Sequence, residues 1–306
     1  GIAYLMFAAT TLALYLAVLR RIAGSQFVLV LIIFFPTIGI TLACGQNGLL
    51  TAALIGMTCL FFEDRPLLAG AALGLMIIKP HLAVAFAAYA VLRRSWIVVI
   101  TAAAIVLISS AICTATFGVE IWSAFLQSVR DSSAFLEQGN YPMHRMISIY
   151  AALRTLGLPA LASLVGQGVV AALALAVVVI AVYRRMPARE SLGLVAVVSV
   201  CISPYAYDYD FLIFSIGLAL LLPALLASAR AWERGIIYAL PIPIGAVGYL
   251  QAMQMATSVD GKQALAALSI GGFATIPLVA LIVGIVLLRS SRTEAIAEAG
   301  VRCASA

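Results

Sequence analysis

Ile78-Lys79-Pro80-His81 interrupts an apolar stretch that begins near Pro66 and continues to Leu92. Lys79 is a cation within sequence that otherwise has the composition of a membrane core, where ionisable side chains are costly and are candidates for function. Pro80 has no N–H to donate and disfavours helix at the residue before it, so it predicts a break in the helix here. The fold depends on how the chain crosses the membrane around this lysine.

The composition is that of a membrane protein. The 306 residues are 64% hydrophobic and 10% charged, with a mean hydropathy of +1.15, whereas soluble domains carry about 25% charged residues. We therefore predict an all-α, polytopic membrane protein. The net charge of +6 is low for this length and gives no case for a nucleic-acid partner. The five cysteines show no C-x-x-C spacing, which favours packing over disulfides or metal binding.

The distribution of arginine decides the topology. The segments able to cross a bilayer are 1–19, 25–43, 47–62, 96–117, 159–183, 190–203, 210–229, 235–251 and 264–288. Segment 66–92 could form one long helix or two short ones. If it folds back at Lys79-Pro80, 13 of the 18 lysines and arginines share one side, as the positive-inside rule requires. We predict this re-entrant hairpin within a bundle of about 11 membrane segments.

The hairpin places Lys79 below the outer surface, because each arm of about 13 residues spans only about 20 Å of a hydrocarbon core of about 30 Å. A broken backbone at that depth must line a cavity or be buried in protein. The prediction is one transmembrane bundle over 1–288, with an outer segment at 118–158 and a cytoplasmic tail at 289–306. Segments 203–210 and 252–263 also fall on the outer side.

Within the outer segment, residues 118–136 repeat apolar side chains at helical spacing. The pattern fits an amphipathic helix along the outer interface with Trp122 as its anchor. A cap over the bundle with no role in substrate binding fits the same periodicity.

Polar side chains near the outer ends of two membrane segments are candidates for binding. Gln46 and Asn47 are uncharged hydrogen-bonding groups between Gly45 and Gly48, which permit close approach of the backbone. Helix capping by Asn47 is the alternative. Lys79 could bind a phosphate as a point charge, and His81 could donate to the same anion.

Asp208 and Asp210 stand two apart at the outer end of a span. A carboxylate there could act as a general base, bind a cation or hold Lys79; a solvated helix start is the alternative. The interleaved tyrosines, including Tyr205 and Tyr209, fit an aromatic belt or a surface that packs on sugars.

His144 and Arg145 follow a proline turn on the same outer side. They could bind the second phosphate of a lipid or the acceptor, and Arg145 could instead be an interfacial anchor. The sequence contains no Walker loop, no nucleotide-binding glycine fingerprint, no zinc motif and no G-x-S-x-G, so it does not support nucleotide-driven or hydrolase chemistry.

Four stretches together resemble a known family. Gly45-Gln46-Asn47-Gly48, Ala69-Gly70 with Leu73-Gly74, Ile78-Lys79-Pro80-His81 and Arg93-Arg94-Ser95-Trp96 look like the central signature of glycosyltransferase family 87. Its members are integral membrane enzymes of the GT-C fold, similar to bacterial mannosyltransferases that use polyprenol-phosphate-mannose.

The resemblance implies inverting transfer of a hexose, with mannose as the candidate, from a polyprenyl-phosphate donor to a glycolipid or glycan acceptor. The active face would lie outside the bacterial cytoplasmic membrane, with the C-terminus in the cytoplasm and no nucleotide, cofactor or metal required. Lys79 fits a ligand of the donor phosphate, with Gln46 and Asn47 in the wall of the donor pocket; His81, His144, Arg145, Tyr205 and Tyr209 are further binding candidates.

The sequence departs from the family in one respect. The catalytic acid of this superfamily usually lies in the first outer loop, and we find no such loop here. We expect either that the acid belongs to sequence before Gly1, which would leave this fragment inactive, or that Asp208 or Asp210 substitutes. A secondary transporter or lipid-linked-sugar flippase is the alternative function, because a broken hairpin with an intramembrane lysine also suits a substrate site at the midplane.

Overall fold

The computed structural model describes residues 1–257 and 268–290. In those ranges the secondary structure is helical, and the only β pairing is an antiparallel bridge between Met146 and Tyr207. The prediction of an all-α membrane protein is confirmed. The helices are α1 (Ile2–Ala23), α2 (Phe27–Ala43), α3 (Gly48–Phe61), α4 (Pro66–Gly74), α5 (Pro80–Leu92), α6 (Trp96–Phe117), α7 (Glu120–Glu137), α8 (Ile149–Thr155), α9 (Ala160–Tyr183), α10 (Ala188–Ser199), α11 (Leu212–Ser228), α12 (Ala231–Ala239), α13 (Pro241–Thr257) and α14 (Ile270–Ile285).

Five helical stretches of the described chain are long and apolar enough to cross a membrane. The first is Ile2–Ala43, in which Gly24, with φ of 55°, ends α1 before α2 begins. The others contain α6, α9, α11 and α14. The helices α3 and α5 and the segment 66–78 are apolar but shorter.

Helix α11 is the centre of the bundle. The buried share of its membrane-length window is 72%, against 6% for α6, so α6 lies at the periphery. The Tyr15 hydroxyl of α1 and Ser215 Oγ of α11 form a buried hydrogen bond of 2.7 Å. The rings of Phe34 and Phe211 pack with their centroids 5.5 Å apart. One contiguous core of buried apolar side chains extends from α1 to α14.

The chain reverses direction at Lys79-Pro80. Helix α4 passes into a 3-10 turn, Leu75–Ile78, and α5 begins at Pro80 after Lys79 adopts φ of −147° and ψ of 70°. The two ends of the hairpin meet again at its base, where Arg93 Nη2 lies 3.8 Å from Glu63 Oε1. The predicted break at Lys79-Pro80 is therefore present, and the segment 66–92 is a hairpin.

Two glycines of α4 set the depth of the hairpin beside α6. A Cβ at Gly70 would lie 2.7 Å from the Val98 carbonyl oxygen, and one at Gly74 would lie 2.8 Å from the Ala102 carbonyl oxygen. Gly74 is therefore level with the first half of α6, and the 3-10 turn adds about 8 Å. Since the 22 residues of α6 span about 33 Å, the tip stops short of the far end of α6.

Most arginine clusters lie at one end of the bundle, here called the basic end. Arg189, at the start of α10, donates to the carbonyl oxygens of Ile22 (2.8 Å) and Leu220 (3.1 Å). Arg289 Nη1 lies 2.7 Å from Glu233 Oε2. The start of α3, the start of α11 and the hairpin tip lie at the opposite end, here called the site end. Which end faces the cytoplasm stays a prediction.

One segment differs from the sequence-based expectation. The predicted span 235–251 is divided into α12 and α13, because Pro241 begins a new helix. The amphipathic segment forms a helix as expected, α7, and Trp122 Nε1 donates to Thr114 Oγ1 of α6 at 2.9 Å. Residues 258–267, including Lys262, and residues 291–306, most of the expected tail, lie outside the described residues.

Candidate active site

Two extended segments at the site end bring distant charges together. The Ile147 N–H donates to the Ala206 carbonyl oxygen at 2.8 Å, and Ser148 Oγ donates to the Pro204 carbonyl oxygen at 2.8 Å. This pairing fixes the segment before α8 against the segment before α11. Arg145 is consequently held beside Asp208, which lies 63 positions away in the chain.

Arg145 and Asp208 form a two-pronged ion pair. Arg145 Nε donates to Asp208 Oδ2 at 3.0 Å and Nη2 donates to Oδ1 at 2.9 Å. Asp208 Oδ1 also accepts the Tyr209 N–H at 2.8 Å. The carboxylate is buried and the Arg145 side chain is 14% exposed. A planar guanidinium matched to a carboxylate in this way is a strong and geometrically specific pair.

Lys79 and Asp210 form a second pair at the tip of the hairpin. Lys79 Nζ lies 2.7 Å from Asp210 Oδ1, and the lysine side chain is 15% exposed. Asp210 Oδ2 accepts the Tyr207 N–H at 3.2 Å. An ammonium group has three donors, and Asp210 accepts one of them. The remaining donors of Lys79 can therefore bind a second anion without breaking the pair.

Tyr209 joins the two pairs into one cluster. Lys79 Nζ lies 4.4 Å from the centroid of its ring, and Arg145 Cζ lies 5.9 Å from the same centroid. Both distances are within the range of cation–π attraction. The Tyr207 ring stacks on Tyr209 with centroids 5.2 Å apart and an interplanar angle of 7°. We call Lys79, Arg145, Asp208, Tyr209 and Asp210 the charge cluster.

Several predicted binding residues at the site end carry buried polar atoms with no hydrogen-bond partner among the described residues. They are Asn47 Oδ1, His81 Nε2 and both ring nitrogens of His144. Buried polar groups are normally paired, so each is a candidate to contact a bound molecule. Burial lowers the pKa of His144, and the neighbouring Arg145 lowers it further, which disfavours the charged ring.

Three alternatives considered for these residues are wrong. The aspartates are not a solvated helix start, since each is only 1% exposed. Asn47 precedes α3 but its side chain makes no capping hydrogen bond. Arg145 is not a free interfacial anchor, because Asp208 holds it. The predicted option in which a carboxylate holds Lys79 is the one that the structure contains.

Gln46 and Tyr205 are at the site end but are not in the charge cluster. Gln46 lies exposed in the turn between α2 and α3. Tyr205 packs edge-on against Tyr141, with ring centroids 6.0 Å apart. With Tyr150 and Glu137 it lines a cavity of about 520 Å³ between α7, α8 and α9.

Two glycines allow the backbone to approach the cluster. A Cβ at Gly48 would overlap the Tyr209 carbonyl oxygen, so the close approach expected of this glycine is present. A Cβ at Gly248 of α13 would overlap Asp208 Oδ2. The sequence gives no signal for Gly248, because no motif lies near it. Within the described ranges, no group of three or more metal-binding side chains comes together.

The comparisons with known proteins identify a family. The model of glycosyltransferase family 87 matches residues 1–204. The match includes Lys79 and Arg145, and it ends before Asp208 and Asp210. Neither the curated proteins nor the solved structures contain a match. Because the family model covers two thirds of the sequence, including the broken hairpin and the segment that carries Arg145, the chain belongs to glycosyltransferase family 87, a family of membrane glycosyltransferases.

Proposed function

We propose that this glycosyltransferase takes its sugar, a hexose with mannose as the first candidate, from a polyprenyl-phosphate donor. The acceptor is a glycolipid or a glycan on the outer face of the cytoplasmic membrane. The observation that carries the proposal is the buried Lys79–Asp210 pair at the tip of a hairpin that ends within the bundle. A phosphate carried by a membrane lipid reaches such a site from the bilayer.

The two cations would act on the phosphate. In an inverting displacement, the oxygen of an acceptor hydroxyl bonds to the sugar C1 while the bond from C1 to the phosphate oxygen breaks, and the hydroxyl proton passes to the departing phosphate, directly or through water. The lipid phosphate leaves with the bonding electrons and gains negative charge. Lys79 and Arg145 then stabilise the leaving group, because donors fixed in a poorly hydrated site act strongly on developing charge. No nucleotide or metal has a role in this scheme.

The two aspartates hold the cations in this proposal. Both oxygens of Asp208 and both oxygens of Asp210 accept hydrogen bonds, which leaves them poorly placed to take a proton. A role of either aspartate as the general base stays a prediction. Holding Lys79 and Arg145 in place before the donor arrives removes the reorganisation that would otherwise oppose binding.

A thermal-shift titration tests the donor site. The purified chain in detergent is titrated with a short-chain polyprenyl-phosphate mannose and with the polyprenyl phosphate alone. At a ligand concentration of about 100 times Kd, binding stabilises the native state by about 2.7 kcal/mol. We expect a shift with both lipids, because the phosphate is the shared part.

Two variants complete the test. In the double variant Lys79→Gln/Asp210→Asn the pair is neutral and keeps a hydrogen-bonding partner on each side, so we expect the fold to remain and the shift to disappear. Arg21→Gln removes an exposed cation at the basic end and should keep the full shift. An unchanged shift in the double variant, or no shift in the wild type, would refute the donor site.

A further inference from the structure

An apolar groove adjoins the hairpin tip on the side of the hairpin that faces α6. It lies between α4, α5 and α6 and has a volume of about 310 Å³. Its lining includes Gly74, Ile77, Pro80, Ala87, Ala103 and Val106. Pro80 is the residue directly after Lys79, so one end of the groove, here called its upper end, lies at the hairpin tip that carries the cation.

The groove exists because its walls have small side chains. Ala83, Ala87 and Ala90 follow one face of α5, with spacings of four and three residues. Ala102 and Ala103 face them from α6. Helix α4 contacts α6 closely through Gly70 and Gly74, whereas α5 and α6 leave space between them. Small side chains on both walls account for this space.

The groove is open to the bilayer. Only 6% of the membrane-length window of α6 is buried, and Ala87 and Ala103 are both exposed. From Pro80 to Val91, α5 rises about 16 Å. An apolar chain could therefore enter from the side and lie along the hairpin without crossing the core.

The charge at the upper end of the groove indicates which kind of molecule binds there. Lys79 supplies a cation there, and the buried His81 Nε2 beside it has no hydrogen-bond partner among the described residues. A molecule that satisfies both parts has an anionic head at Lys79 and a long apolar tail. We infer that the groove between α4, α5 and α6 binds the first isoprenoid units of the donor's polyprenyl chain.

This inference rests on the proposed function and gives the donor lipid its path. The phosphate lies at the hairpin tip and the chain descends past Pro80, along Ala87 of α5 and Ala103 of α6. Small residues suit a methyl-branched chain, because each branch needs room at regular intervals along the groove.

Photolabelling tests the path. The probe is farnesyl phosphate with a diazirine at the end of its chain, used on the full chain in nanodiscs, and the adducts are mapped by mass spectrometry. Farnesol with the same diazirine is the control for the phosphate. We expect adducts on α5 and α6 near Ala87 and Ala103 with farnesyl phosphate and not with farnesol.

Variants that fill the groove give the second measurement. Ala87→Trp and Ala103→Trp occupy it from opposite walls, and both positions are exposed, so the fold should accept them. Each should lower labelling about tenfold, as expected when about two methylene groups lose their contacts. Ala280→Trp fills a separate apolar cavity of about 200 Å³ between α9, α10 and α14 and should leave the labelling unchanged.

The outcomes separate the two proposals. Phosphate-dependent labelling on other helices, or labelling that neither groove-filling variant lowers, would overturn the groove and leave the donor site standing. Equal labelling by farnesol, or no labelling at all, would overturn both.

Discussion

Tyr209 stands between two aspartates that hold different cations. Asp208 binds Arg145 from the segment before α8, and Asp210 binds Lys79 from the hairpin. Because one residue separates the two aspartates, their carboxylates reach different partners. The Tyr209 ring between them contacts both cations. At the level of single residues, three neighbouring positions therefore organise charges that come from three regions of the chain.

Removing one charge of a pair should destabilise the protein. Asp210→Asn leaves Lys79 without its counter-ion in a site with little access to water, and breaking such a pair costs on the order of 3 kcal/mol. The double variant Lys79→Gln/Asp210→Asn should recover most of that loss, because no unpaired charge remains. Unfolding followed in a detergent titration measures the stability of both variants. A double variant no more stable than Asp210→Asn would contradict this reasoning.

Gly248 gives a prediction for the other pair. Gly248→Ala should push Asp208 away from Arg145, since the added methyl group would overlap Asp208 Oδ2. We expect a loss of about 1–3 kcal/mol in stability, typical of overpacking, together with weaker binding of polyprenyl phosphate. Gly235→Ala in α12, where no atom lies within 4 Å of the new methyl group, is the matched control. Equal effects of both substitutions would argue against a special role for Gly248.

Among the elements, the hairpin α4–α5 is the part that sequence could predict. Apolar length, the arginine pattern and Pro80 together required a reversal at Lys79, and each of these signals is local or additive along the chain. The charge cluster could only be predicted in part. Its partners lie 131 and 63 residues apart in sequence, and they meet through short extended segments with no periodic pattern. Such pairing depends on tertiary structure, which periodicity does not describe.

Helix α6 supports the hairpin by packing closely on the glycines of α4. This contact gives a prediction for α4 and α6. Gly74→Ala should separate α4 from α6, because the new Cβ would lie 2.7 Å from Ile105 Cβ. The hairpin tip would shift with α4, so we expect a lower affinity for polyprenyl phosphate as well as a loss of about 1–3 kcal/mol in stability. Gly284→Ala in α14 meets open space and is the control. A stability loss without any change in lipid binding would show that α6 supports the fold but does not position Lys79.

In the molecule as a whole, the two ends of the bundle have different chemistry. The basic end gathers arginines that cap helix ends and pair across helices, as Arg189 and Arg289 do. The site end holds the charge cluster and the cavity of about 520 Å³ beside Tyr205. The positive-inside rule would put the basic end in the cytoplasm, which is the orientation that the proposed function needs.

Thiol labelling from outside the cell tests this orientation. Cys44 lies half-exposed at the site end, and Asp64→Cys places a thiol at an exposed position of the basic end. With every cysteine other than the tested one replaced, we expect a membrane-impermeant maleimide to label Cys44 in intact cells and to label the thiol at position 64 only after lysis. Positive charges resist transfer across the membrane during insertion, so we expect the basic end to face the cytoplasm. The reverse labelling pattern would put Lys79 and Arg145 near the cytoplasm, where an outward-facing acceptor could not reach them, and the proposed reaction would have to move to the other face.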